Sequence, residues 1–276
     1  MPPTRFLFAR LNLIAQYEDK QQFVLTGLRS HQLRRVREHL WGYFGVESLG
    51  RYSDYVTGYL AKLRPENAEE VGDLVAHAIS TTTVVNRAIA KSRFFLHIPT
   101  GLLAYQYVSG HITQAIFEEQ FARLFEEGYK QFFVAADVST VEERERFLEA
   151  LGEFERVQSV TIELHPTNPH YSEVYRAIDE RLKALQAKNY KEVITAATDG
   201  PGLRAESDPE IRSKATMAED GYGKATASGQ RAGKTAQIST SQNPVTAHVE
   251  TRDRSPTEIL GELIDDFRAI IRRIAA

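Results

Sequence analysis

The densest run of residues able to do chemistry is "RSHQLRRVREH", from Arg29 to His39. Guanidinium groups present planar, forked donors that match phosphate oxygens, which makes such a run a candidate phosphate-contacting surface. The spacing of Leu33, Val36, Leu40 and Phe44 predicts a helix over 30–44, with Arg34, Arg35 and Arg37 flanking its apolar stripe. The charges then lie on the exposed side, either as a solvated helix face or as a phosphate patch that also takes in Arg29. Arg34 and His39 reproduce the Arg-x4-His spacing of HEPN-type ribonucleases, although those are all-helical bundles and strands are expected on both sides here.

A second basic set, Lys224, Arg231 and Lys234, falls in "GYGKATASGQRAGKTAQIST", residues 221–240. Its middle, "GQRAGKT", looks like a phosphate-binding loop. That loop needs Gly, four residues, then Gly-Lys-Ser/Thr, between a buried strand and a helix. Here only three residues separate Gly229 from Gly233, and Ser228 stands where the first glycine belongs. No apolar strand precedes the loop, and "TAQISTSQNP" after it is β-like. The stretch therefore predicts a β-hairpin over 224–240, with small side chains and basic residues near its turn. Such a ribbon can follow a phosphate backbone, or carry the charges for solubility alone.

No other motif supplies an active site, and no metal ligands or cofactor are expected. The one Glu-x-Lys, Glu18-Asp19-Lys20, lies in an expected turn with no acid upstream. His165 and His170 flank two prolines in "HPTNPH" and have no carboxylate close in sequence. The pairs Glu118-Glu119 and Glu142-Glu143 fall on expected exposed helix faces. Arg268, Arg272 and Arg273 close the last helix, where cations complement its dipole. With no cysteine in the chain, disulfides, thiol catalysis, thiolate zinc sites and iron–sulfur clusters are excluded.

The elements that must position these residues read as an α+β fold: a mixed, largely antiparallel sheet with packed helices, plus a smaller C-terminal β-hairpin/helix subdomain. Strands are expected at 5–15, 22–28, 54–63, 131–138 and 157–165, with a hairpin over 93–108 turning at Gly101. Helices are expected at 67–80, at 112–128 ended by Gly128, and at 140–151 opened by a Thr140…Glu143 capping box. A long helix over 172–189 starts from Asn168-Pro169, a strand follows at 190–198, then a short helix begun by Ser207-Asp208-Pro209. A last strand is expected at 246–252. The best-marked element is "SPTEILGELIDDFRAIIRRIAA", with Ser255 as N-cap, Pro256 at the first helical position and Glu258 completing a capping box. A boundary near Pro166 divides the chain into 1–166 and 167–276.

The 276 residues carry 42% apolar and 26% charged side chains and a net charge of −3. That balance gives no global attraction to nucleic acid or anionic lipid, so any anion-binding surface is local. The N-terminus lacks a signal peptide's organisation and no run approaches the roughly 18 apolar residues of a membrane span. A cytoplasmic protein without membrane insertion is expected.

Several of these blocks together resemble a known family. "RFLFARLNLIA", "YVTGYLAKL", "FFLHIPTGLLAYQYVSG" with its Phe-rich helix, "NPHYSEVYRAIDERLKALQAKNYKEVITAATDG" and the small-residue hairpin are similar, in order, to an uncharacterised bacterial domain-of-unknown-function family of phage-defence type. More distantly they resemble the Rex exclusion protein RexA. The resemblance covers most of the chain as a pattern of elements and turn residues, without a catalytic signature. It implies an intracellular, oligomeric role in phage exclusion or abortive infection that touches nucleic acid. The expectation is therefore a non-enzymatic component of an anti-phage system. It binds DNA or RNA, or a phage product, through Arg29, Arg34, Arg35, Arg37, Lys224, Arg231 and Lys234, and signals to an effector protein of the same system. Two alternatives stand beside it: a metal-dependent or HEPN-like defence nuclease, and a homo-oligomeric scaffold that binds no nucleic acid.

Overall fold

The computed structural model describes residues 3–15, 19–73, 78–129, 134–167 and 172–275. Two antiparallel sheets share one apolar core, with helices between and outside them. In chain order the elements are β1 (Thr4–Ile14), α1 (Lys20–Arg29), β2 (Arg34–Val36), β3 (His39–Leu49), β4 (Tyr52–Asp73), β5 (Ala78–His97), β6 (Leu102–Gln106), α2 (Gln114–Glu127), β7 (Ala135–Thr140), α3 (Arg146–Gly152) and β8 (Arg156–Leu164). A 3-10 turn then leads into α4 (Arg176–Ala184), followed by β9 (Tyr190–Thr195) and α5 (Pro209–Met217). A π-turn (Ala218–Tyr222), β10 (Gly223–Arg231), β11 (Lys234–Ser239), β12 (Thr246–Val249) and α6 (Pro256–Ala275) complete the chain. This is the α+β architecture expected.

The larger sheet runs β12-β1-β6-β5-β4-β3-β2, with β7 also on β1, and the smaller runs β11-β10-β8-β9. β1 is central. Phe6 and Phe8 point into a core shared with the small sheet, α3, α5 and α6. Leu7, Ala9, Leu11 and Leu13 point into the opposite core, closed by α1 and α2. This is the period-two alternation of a strand covered on both faces. Both sheets draw strands from either side of residue 166: β12 pairs with β1, and β10 with β8. The expected division at Pro166 is thus crossed by hydrogen-bonded pairing.

Several local expectations are corrected. Residues 22–28 lie in α1, because Asp19 caps it by accepting from Gln22 N at 3.1 Å and Val24, Leu25 and Leu28 bury one helical face. Residues 34–49 form the β2–β3 hairpin, not a helix. The chain reverses at Arg37, with φ 55, and the aromatic run Trp41–Phe44 pairs with β4. The helix expected at 67–80 is strand over 67–73 and 78–80, zipped from Asn67↔Val84 to Asp73↔Ala78. The β-branched run Thr81–Val85 favours that pairing. Thr140 ends β7 rather than capping a helix, and α3 starts only at Arg146. α4 is shorter than expected, with Val174 and Leu185 left exposed and Leu182 buried.

Other expectations hold. The β10–β11 hairpin closes on Ala232 and Gly233, both at positive φ (49 and 69), as a type I′ turn requires. The start of α6 carries its capping box: Glu258 Oε2 accepts from Ser255 N at 2.8 Å and Ser255 Oγ accepts from Glu258 N at 3.3 Å. Among the described residues no helix is long and apolar enough to cross a membrane.

Candidate functional site

Where the foot of the small sheet meets β7 and α2, an open polar cleft of about 670 Å³ is lined by Arg5, Glu118, Asp137, Glu163, His165 and Lys224. α2 places Glu118 there because Phe117, Phe121, Leu124 and Phe125 bury the adjacent helical stripe. Tyr105 stacks on Phe117 with ring centroids 3.8 Å apart, which fixes the helix against β6. Glu118 is therefore not a solvated surface acid. Its Oε1 accepts from Thr140 Oγ1 at 2.7 Å and from Tyr105 OH at 3.4 Å. Gln114 Nε2 in turn donates to Thr140 Oγ1 at 2.6 Å and to the Ser241 carbonyl at 3.1 Å. Burial raises the Glu118 carboxyl to about 7, against the pull of those hydroxyl donors and Lys224.

Asp137, on β7, accepts from the Ser139 hydroxyl and lies 3.4 Å from His165 Nε2 at the end of β8. His165 Nδ1 is 3.5 Å from the Lys188 carbonyl. Lys224 and Glu163 stand opposite each other on β10 and β8, on the same sheet face. No group of three histidine or carboxylate side chains that could hold a metal ion occurs among the described residues.

Beside the cleft lies a sealed charged hub built on the π-turn "AEDGY". Arg10, fully buried in mid-β1, donates from Nε to the Asp220 carbonyl at 2.9 Å and from Nη1 to the Thr100 carbonyl at 2.8 Å. Its guanidinium sits 4.5 Å from the centre of the Tyr222 ring. Asn12 donates to the Gly221 carbonyl at 2.9 Å. Asp220 accepts from Tyr175 OH at 3.2 Å and is 3.0 Å from Arg273 Nε, an ion pair not aligned as a hydrogen bond. Arg273 also donates to the carbonyls of Glu142 (2.8 Å) and Glu219 (3.1 Å), so the last turn of α6 is tied into the hub rather than merely facing its own dipole. Glu142, expected to be exposed, is buried here and accepts from Asn243 N at 2.9 Å. Burial, with Glu219 close by, raises it to about 7. With its acids sealed from solvent, the hub locks the two sheets together and so fixes the cleft walls that start at Thr140 and Gly223.

The basic residues singled out from sequence do not form one patch. Arg34 turns inward, donating to Gln120 Oε1 at 2.7 Å, and Arg29 reaches Ser48 Oγ at 3.5 Å. Arg35 and Arg37 are exposed on the β2–β3 hairpin. That hairpin also removes the helical setting an Arg-x4-His ribonuclease motif requires. Arg231 pairs with Glu153, the residue that follows α3, near the hairpin tip. Lys234 is exposed opposite Arg231, whereas Lys224 lies in the cleft, about 20 Å away along β10. Of the Glu-x-Lys motif, Glu18 lies outside the described residues. Asp19 is the α1 N-cap, and Lys20 donates to the Pro99 carbonyl at 2.6 Å, its amine lowered to about 8 by burial and by Arg10. His170 also lies outside the described residues.

Sequence reasoning missed a more coherent basic surface. Across β3, β4 and β5 the register aligns Phe44↔Tyr59↔Arg93 and Gly42↔Ala61↔Lys91, and β2 adds Arg35 opposite Leu40. These side chains share one sheet face. The Lys91 ammonium and the Arg93 guanidinium lie 4.7 and 4.5 Å from the centre of the Tyr59 ring, and Phe44 beside it is exposed. Beyond Leu63, among the described residues, no further strand pairs with β4 or β5, and the two continue as a ribbon about 30 Å long. The alternation of Tyr59, Ala61, Lys91 and Arg93 was visible in the sequence, but the cross-strand register was not.

Residues 13–268 match the model of a family described as a domain of unknown function, DUF4747. No curated protein matches the chain.

Proposed function

This chain belongs to the DUF4747 family, a domain of unknown function, and from that premise we propose that it binds nucleic acid as a component of a bacterial anti-phage exclusion system. The observation that supports binding is the shared face of Arg35, Phe44, Tyr59, Lys91 and Arg93 at the root of the β4–β5 ribbon. Cations held over an aromatic ring, with a second exposed ring beside them, match what single strands need: backbone neutralisation and a surface on which bases stack. A two-stranded ribbon rising from such a face is a shape that follows a groove. The defence role is supported by the resemblance of the chain's blocks to a phage-defence family and, more distantly, to RexA. In that role the protein is a cytoplasmic homo-oligomer that passes the signal to an effector protein of the same system.

The test is fluorescence anisotropy with labelled single- and double-stranded DNA and RNA over a salt series. Binding that weakens steeply with salt supports the reading, since each phosphate neutralised contributes close to one unit of log–log slope. Absence of binding at low salt removes it and turns attention to a protein partner.

A further inference from the structure

We propose that the cleft between α2, β7, β8 and β10 cleaves RNA phosphodiester bonds, with Glu118 as the base that takes the 2′-hydroxyl proton and His165 as the acid that protonates the departing 5′-oxygen. The proposal rests on the nucleic-acid reading above and adds a chemistry to it.

The substrate class follows from what the cleft brings together. Three carboxylates (Glu118, Asp137 and Glu163), an imidazole and two cations, Arg5 and Lys224, line one open polar cavity, of the size that takes small-molecule groups. Base and acid suit a displacement in which one oxygen loses a proton as another gains one, and the cations suit an anionic centre between them. RNA carries its own nucleophile beside the phosphate, so this route needs only those groups. DNA lacks it.

Atoms and charges balance along the step. Glu118 removes the 2′-hydroxyl proton while the 2′-oxygen forms a bond to phosphorus. The bond from phosphorus to the 5′-oxygen breaks, its electron pair stays on that oxygen, and His165 supplies the proton. The products are a 2′,3′-cyclic phosphate and a 5′-hydroxyl end. Lys224 and Arg5 stabilise the extra negative charge on the five-coordinate phosphorus.

Each group is held for its part. Both hydrogen bonds to Glu118, from Thr140 and Tyr105, fall on Oε1, and neither engages Oε2, the oxygen assigned to the substrate. Gln114 fixes Thr140 from behind. His165 Nδ1 lies 3.5 Å from the Lys188 carbonyl, while Nε2 lies 3.4 Å from Asp137 Oδ2 without being aligned as a hydrogen bond, and Nε2 is the nitrogen assigned to the departing oxygen. Asp137, itself oriented by Ser139, is a positioning residue. The Glu118 carboxyl, raised to about 7 by burial, is poised near neutral pH as an efficient base must be.

The experiment incubates the full chain, with EDTA, with a labelled RNA oligonucleotide, its DNA counterpart and its 2′-O-methyl counterpart. Anisotropy is read in parallel. The proposal expects cleavage of RNA alone, yielding the cyclic phosphate. E118Q and H165N should each slow it at least ~100-fold while leaving RNA affinity unchanged. The rate should rise with pH through about 7, as Glu118 ionises among the groups facing it: Tyr105 from β6, Asp137 and Thr140 from β7, and Lys224 from β10. Should E118Q fail to fold, K224A carries the test, with the expected loss at least ~10-fold. RNA bound but left intact overturns the proposal and leaves the binding reading standing. Cleavage unchanged in both variants, or dependent on added magnesium, also overturns it. Failure to bind RNA at low salt removes both.

Discussion

Glu219 Oε1 accepts the backbone N–H of Phe147 at 3.0 Å, while its Oε2 accepts that of Glu145 at 3.1 Å. The first turn of α3 is therefore capped by a carboxylate 72 positions away in sequence, not by Thr140 and Glu143. Glu219→Ala leaves two N–H groups without acceptors and is expected to cost about 2–4 kcal/mol. Glu219→Gln keeps one acceptor oxygen and should cost less. Urea unfolding of both variants at neutral pH measures the difference.

Glu142 makes stability depend on pH. Its folded-state value, raised to about 7, exceeds that of an unfolded glutamate, near 4.3. Between those values the folded chain holds a proton that the unfolded chain has released, so this residue's contribution turns unfavourable as pH rises through the window. The cost is on the order of 3 kcal/mol above pH 7. Glu142→Gln should therefore stabilise the protein relative to wild type at pH 8 and give little difference at pH 4.5. Thermal melts at the two pH values check it, and an equal effect at both would refute this account.

Gly223, at φ 149, leads from the hub into the cleft wall, and a Cβ there would lie 2.0 Å from the Glu163 carbonyl oxygen. The obstruction is backbone, which cannot swing aside. Gly223→Ala should cost more than about 3 kcal/mol, whereas Gly233→Ala at the open hairpin tip, with nothing near its Cβ position, should cost far less. Chemical denaturation curves of the two variants give the comparison.

The two kinds of basic residue should separate in a binding assay. Lys91 and Arg93 flank Tyr59 on the shared face, and their joint replacement by alanine should lower the log–log salt slope by roughly 2. Arg231, already paired with Glu153, should leave affinity unchanged when replaced by alanine. Anisotropy titrations at several salt concentrations decide it, and the reverse ranking would move the nucleic acid onto the β10–β11 hairpin.

What the amino-acid order settled by itself was local. The Ser255–Glu258 capping box, the apolar stripe of α6, the glycine turn at 101 and the small-residue hairpin at 223–239 each depend on groups only a few residues apart, so their signals survive in a short window. The overall α+β class followed from such elements together. Where a segment was ambiguous over seven to fifteen residues, a distant partner decided it. Leu33, Val36, Leu40 and Phe44 mimic helical spacing, but β4 offers a pairing edge that no local pattern reports. Residues 67–73 read as helix until the β-branched run on β5 lies opposite them. The charged sites belong wholly to this second kind. Glu118, Asp137 and Lys224 come from α2, β7 and β10 and His165 from the residue after β8, and nothing in their local sequence distinguishes them from solvated surface groups. Only the antiparallel register of two sheets and the sealed hub between them bring these side chains into one cleft, because side-chain chemistry is set by three-dimensional proximity and burial, which strand pairing fixes at long range.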